Sequence, residues 1–112
     1  MLLSVDGLAD FYFADAKAKM PMIRQLAMEG VRAAGMKAST PTVTWPNHVT
    51  LTSGVHPAKH GVVGNNYFDR VTRKPVTLIW DPVLDKNQIV RTPTIMDVAK
   101  EQGMTTAAVR TI

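Results

Sequence analysis

Between Met1 and Lys37 an apolar run, a helix signal and a second apolar run follow in that order, which restricts the fold more than anything else in the chain. Met1–Val5 is apolar and ends at Asp6-Gly7, as a central strand with Asp6 at its carboxyl end would. Pro21 stands where a first helical turn wants it, Met22, Ile23, Leu26 and Ala27 share one helical face, and Gly30 supplies the stop. Val31–Lys37 resumes an extended pattern. Strand, helix and strand within one short stretch predict a βαβ unit, whose two strands lie parallel in one sheet.

A second such piece closes the sequence. Thr92 is placed to cap a helix with Pro93 at its first position, Ile95, Val98 and Ala99 line one face, Gly103 ends it, and Thr105–Ile112 reads as a strand. Between these pieces, Pro46 suits the start of a helix running to about Ser53 and stopped by Gly54. Phe68–Arg91 looks like a connecting excursion with one strand candidate at Val76–Trp80. The expected fold class is α/β with a mainly parallel central sheet flanked by helices. Both ends of the sequence fall in predicted strands, and a parallel sheet of about three strands leaves faces and an edge uncovered. The chain is therefore expected to be the N-terminal part of a larger α/β domain.

Composition excludes several classes. With 112 residues, 46% of them hydrophobic and 20% charged, the chain has the balance of one globular unit rather than of a disordered segment. No apolar run approaches the roughly 20 residues a membrane-spanning helix needs. Cysteine is absent, which excludes disulfides and thiolate metal sites. No signal peptide is visible from Met1. The formal charge is +4, but the basic residues are scattered, so a solvated surface and a polyanion-binding patch both remain open.

A few residues could carry chemistry. Asp6 is a hard oxygen ligand suited to Zn²⁺, Mg²⁺ or Mn²⁺, and Asp-Gly is equally a common turn pair. Thr42 and Thr44 lie just ahead of the Pro46 helix, where the backbone field favours phosphate oxygens and an attacking alkoxide; a capping role fits them too. His48 falls inside that helix as a packed or hydrogen-bonded histidine. His56 and His60 are four apart, a zinc-compatible spacing on a helix, but Pro57 and Gly61 argue for a turn. Asn65 and Asn66 follow Gly64 in a loop, where an amide can serve a turn or donate to a phosphate oxygen.

Read in order, four segments are more specific than their residues singly: Leu-Leu-Ser-Val-Asp-Gly, Met-Pro-Met-Ile-Arg-Gln-Leu-Ala-Met-Glu-Gly-Val, Pro-Thr-Val-Thr-Trp-Pro-Asn-His-Val-Thr-Leu-Thr-Ser-Gly and His-Pro-Ala-Lys-His-Gly-Val-Val-Gly-Asn-Asn. Together they resemble the start of the type I phosphodiesterase and nucleotide pyrophosphatase family, within the alkaline phosphatase superfamily. The resemblance covers about residues 2 to 69 and continues more loosely to the end. It implies that residues 1–112 are the N-terminal portion of a single alkaline-phosphatase-like phosphodiesterase domain.

The same resemblance implies a zinc-dependent hydrolase of phosphodiester or pyrophosphate bonds in nucleotide-type substrates. Asp6 matches the first metal-ligating aspartate. Thr44 matches the nucleophile, which is also a metal ligand, whereas Thr42 sits two residues too early. Asn65 matches the asparagine that, with a backbone N–H near the nucleophile, contacts a non-bridging phosphate oxygen. Family members hold two Zn²⁺, and His48, His56 and His60 would then be structural. The partner implied is a small phosphate ester, with no specific nucleic-acid binding and no transmembrane segment. Family analogy points to the periplasm or the exterior, and the oligomeric state stays open.

Two departures stand out. The resemblance implies further Asp and His ligands well downstream of the motif. With no histidine after His60, residues 70 to 112 are not expected to supply them, whereas a zinc site needs at least three protein ligands. Trp45 stands where many relatives carry Phe. The competing expectations are a phosphomonoesterase on the same scaffold and a non-catalytic basic module that binds phosphate-rich partners.

Overall fold

The computed structural model describes residues 1–78 and 85–109. It divides into two compact units, Met1–Lys37 and Ala38–Ile112. Helices and strands are mixed, as expected, but the only sheet among the described residues is a two-stranded antiparallel one.

In the first unit, Pro21–Glu29 forms α1 with the proline in its first turn, and the Gly30 N–H closes onto the Leu26 carbonyl. That helix was legible from Pro21 and Gly30. The flanking strands are not formed: Met1–Val5 and Val31–Lys37 carry no ladder. A strand exists only where its N–H and C=O groups meet a neighbour's, and an apolar run does not supply that neighbour. Among the described residues none of this unit is buried, and Met22 and Leu26 remain 65% and 61% exposed. Polar and aromatic contacts organise the unit instead. The Arg24 guanidinium donates to the carbonyls of Tyr12 at 3.0 Å and Asp15 at 2.6 Å, tying α1 to the loop before it. Arg32 pairs with Asp10 at 2.5 Å and lies 4.3 Å from the centre of the Phe13 ring.

The second unit contains the core. Here α2 spans Thr44–Ser53 and ends at Gly54, whose φ of 70° is the left-handed conformation that a helix C-terminus favours. It starts two residues earlier than Pro46 suggested. One short turn of helix, α3, covers Pro57–His60. Strands β1 (Asn66–Asp69) and β2 (Lys74–Thr77) pair antiparallel, with Asn66 opposite Thr77 and Asp69 opposite Lys74. The excursion predicted from Phe68 thus begins as a hairpin, and residues 79 and 80 of the strand candidate lie outside the described residues. Helix α4 (Lys86–Ile89) is capped by Asp85, which accepts from the Asn87 N–H at 2.7 Å.

The last helix, α5, spans Ile95–Glu101. Its N-cap is Thr94, not Thr92. The Asp97 carboxylate accepts from the Thr94 N–H at 2.6 Å and its hydroxyl at 2.7 Å, a reciprocal cap that fixes the start two residues later. Residues 105–109 form no strand, and 110–112 lie outside the described residues. Val49, Val62, Leu78 and Val90 make the core, with Trp45, Val76 and Ile89 packed against it. Each comes from a different part of the unit.

Candidate active site

Thr44 is the first residue of α2 and is half-buried. Val43 before it has no side-chain oxygen and caps nothing, and Pro46 has no N–H, so the helix start needs another source of acceptors. Asn65 supplies one: its side-chain oxygen accepts from the Trp45 N–H at 3.1 Å, across twenty positions of sequence. The Asn65 carbonyl in turn accepts from the Leu78 N–H at 3.0 Å, and Leu78 is a core residue. The hairpin and core therefore hold Asn65 beside the residue that follows Thr44. With its oxygen on Trp45, the Asn65 amide has its NH₂ as the donor group for a ligand.

Asn47 organises the other side. Its oxygen accepts from the Ser39 N–H at 2.8 Å, and its NH₂ lies 3.2, 3.0 and 3.0 Å from the carbonyls of Ser39, Pro41 and Val43. One amide thereby fastens the loop before Thr44 to the first turn of α2. Nothing in the sequence reading gave Asn47 a role; the signal available was a residue bearing both donor and acceptor just inside a helix start.

Each of the three histidines has a hydrogen-bond partner within the second unit. His48 Nδ1 lies 2.8 Å from the Thr44 carbonyl, which can only accept, so this nitrogen carries the proton. His56 Nδ1 lies 2.9 Å from the Ser39 hydroxyl. His60 is fully buried; its Nδ1 accepts from the Val62 N–H at 3.2 Å and its Nε2 reaches the Thr50 hydroxyl at 3.1 Å. Thr50 donates to the Pro46 carbonyl at 2.8 Å, so a protonated Nε2 completes the chain and links α3 to α2. Burial pushes the His60 imidazole below its ordinary range. His56 and His60 are engaged with different partners and do not converge on a cation.

Asp6 is exposed and belongs to the first unit, in a turn completed by Gly7 at φ 72°. Among the described residues no three His, Asp or Glu side chains are grouped as a metal site would require. Asp6 lies in the first unit and Thr44 in the second, and each is an oxygen donor of the kind a hard divalent cation takes.

Residues 1–111 match the family described as type I phosphodiesterase / nucleotide pyrophosphatase. The chain belongs to that family. Similar proteins include ectonucleotide pyrophosphatase/phosphodiesterase family member 3 of Mus musculus, 36% identical over 69 residues, which is 62% of this chain and 8% of the mouse protein. Venom phosphodiesterase 2 of Crotalus adamanteus is 38% identical over 69 residues, again 62% of this chain and 8% of the relative. An uncharacterized pyrophosphatase/phosphodiesterase of Schizosaccharomyces pombe is 37% identical over 75 residues, 66% of this chain and 15% of the yeast protein. The chain thus matches only a small part of the length of these relatives. Family membership implies an alkaline-phosphatase-like fold and, for the family, a metal-dependent site. No helix among the described residues is long and apolar enough to cross a membrane.

Proposed function

We propose that this chain is the nucleophile-bearing, N-terminal portion of one alkaline-phosphatase-like domain that hydrolyses phosphodiester or pyrophosphate bonds in nucleotide-type substrates. The supporting observation is the meeting of Asn65 with the Trp45 backbone N–H, directly after Thr44 at the start of α2. Thr44 Oγ attacks phosphorus in line; the Oγ–P bond forms as the bond to the leaving oxygen breaks. The hydroxyl proton is given up, so that the leaving group departs as its alcohol or as an alkoxide with the proton released to water. Water then cleaves the phospho-threonine and restores the hydroxyl. The Asn65 NH₂ donates to a non-bridging oxygen as negative charge grows there, and the helix start adds its positive end.

The cofactor in this reading is a pair of Zn²⁺ ions. Asp6 and Thr44 are the donors this chain contributes, and the other ligands come from outside the residues described. In the alkaline-phosphatase-like domain the parallel sheet forms with further strands beside those predicted at Met1–Val5 and Val31–Lys37. Pairing with such neighbours supplies the ladder these segments lack among the described residues.

The test is a trapping experiment on the native protein. Bis(p-nitrophenyl) phosphate is mixed with it, the reaction is quenched in acid, and the labelled peptide is located by mass spectrometry. A nitrophenyl phosphate adduct on Thr44, absent in Thr44→Ala together with turnover, is expected. An adduct on another residue, or full turnover by Thr44→Ala, overturns the assignment. Faster turnover of a nitrophenyl monoester than of the diester would move the reading to phosphomonoester hydrolysis.

A further inference from the structure

Asn47 bonds groups outside its own helix as well as within it. Its amide engages the Ser39 N–H and the carbonyls of Ser39, Pro41 and Val43. Only the last of these partners, four residues back along the helix, belongs to the ordinary pattern of side chains in α2. Thr50 bonds the Pro46 carbonyl at 2.8 Å and Ser53 the Val49 carbonyl at 2.6 Å in that same pattern. The other contacts reach out of the helix to the segment that enters it. Val43 N–H closes the segment on itself by donating to the Pro41 carbonyl at 2.9 Å. Loop 39–43 therefore has its path set from α2, and Thr44 is the next residue along that path.

We infer that Asn47 is a positioning residue for Thr44: it fixes the backbone from which the hydroxyl projects, without touching substrate itself. This rests on the reading of Thr44 as nucleophile. Two groups that must react in line are sensitive to displacements of about 1 Å, which can cost on the order of a hundredfold in rate. Asn65 is also held from the core side, its carbonyl accepting from the Leu78 N–H at 3.0 Å, and it shares no hydrogen-bond partner with Asn47. Loss of the Asn47 lacing is therefore expected to move the nucleophile while leaving the phosphate-oxygen contact in place. Turnover then falls and substrate binding does not.

The decisive variant is Asn47→Ser. A serine hydroxyl can still bond the Val43 carbonyl, as Ser53 does to Val49, but it is too short to reach Ser39 and Pro41. The native protein and this variant are compared on bis(p-nitrophenyl) phosphate, with Thr44→Ala in parallel. Expected for Asn47→Ser are a kcat lower by about tenfold or more, a KM within about twofold, and a chain that is still folded at the assay temperature, with a somewhat lower unfolding midpoint. A second readout needs no turnover: amide hydrogen exchange at Ser39 and Val43 accelerates in the variant while that of α2 beyond Thr50 does not.

Unchanged kcat in Asn47→Ser with an inactive Thr44→Ala overturns the positioning role and leaves the nucleophile standing. An active Thr44→Ala removes the nucleophile assignment, and the role of Asn47 with it. Unfolding of Asn47→Ser at the assay temperature makes Asn47 a folding residue and overturns the inference; unchanged exchange at Ser39 shows that Asn47 does not hold the loop and overturns it too.

Discussion

The two units contain similar apolar side chains and use them differently. In the second, Val49, Val62, Leu78 and Val90 converge from α2, the segment after α3, the end of β2 and the end of α4. In the first, α1 has the same kind of face in Met22, Ile23, Leu26 and Ala27, yet none of it is buried among the described residues. Arg24 on the loop carbonyls and Arg32 between Asp10 and Phe13 tie that unit together instead. Exposed ion pairs contribute about 0–1 kcal/mol, whereas full burial of one valine contributes about 1.5–3 kcal/mol. An apolar stripe thus shows which face requires cover, while the supply of cover depends on the rest of the fold.

Substitutions separate the two units sharply. Val62 is fully buried, and Val62→Ala removes its methyl groups and leaves a cavity, for an expected loss of about 2 kcal/mol in denaturant unfolding of the native protein. A loss below about 0.5 kcal/mol would remove the core from its place in the comparison. Gly61 has φ 85°, and an added Cβ would come within 2.9 Å of the Arg91 side chain. Gly61→Ala should therefore cost about 1–2 kcal/mol from the backbone alone, with Arg91 displaced. A neutral result would show that the turn after α3 can be rebuilt.

A pH series probes the same unit through His60. The unfolded imidazole titrates near about 6.5, and burial holds the folded one lower, with His56 acting in the same sense. Between the two values the unfolded chain binds more protons than the folded one. Stability therefore rises with pH across that window and levels off above it. Replacement by Gln should flatten this part of the curve; a profile already flat in the native protein would contradict the assignment.

Smaller effects are expected at exposed groups. Lys86, with the Thr94 N–H and hydroxyl, holds the Asp97 carboxyl well below the usual carboxylate range. Lys86→Met should raise that carboxyl toward its ordinary value, read by carbon-detected NMR titration; an unmoved value would leave Thr94 alone as the cause. Smallest of all, Leu26→Ala in α1 should change the unfolding free energy by less than about 0.5 kcal/mol, because Leu26 is 61% exposed. A loss as large as that for Val62 would mean that α1 is covered in the native protein, and the contrast between the units would close.

Local signals in the sequence located helices well and strands poorly. Proline and glycine act through their own backbone geometry, so Pro21 with Gly30 bracketed α1 and Gly54 marked the end of α2, which starts two residues before Pro46. The start of α5 was misplaced at Thr92, although the Thr94-to-Asp97 spacing that caps it is written in the chain. Met1–Val5 and Val31–Lys37 were expected as strands because their residue types suit one, and strand formation is a property of pairs. Around the candidate site, the family motif singles out Thr44 and Asn65. The contact between Asn65 and the Trp45 N–H, and the lacing by Asn47, join residues whose separation in sequence has no periodic signature.

By itself the sequence determined the family, the helix limits set by proline and glycine, the absence of cysteine chemistry and the motif that contains Thr44. These depend on residue identity and on neighbours within about one helical turn. Only the tertiary structure decided that Asn65 would cap α2 in place of Val43, that Asn47 would hold the loop before Thr44, and that His60 would be buried as a neutral link between α2 and α3. Each of those outcomes is a hydrogen bond between groups brought together by packing of Val49, Val62, Leu78 and Val90. Such a bond requires both partners in place at once, and the chain order alone does not specify their meeting.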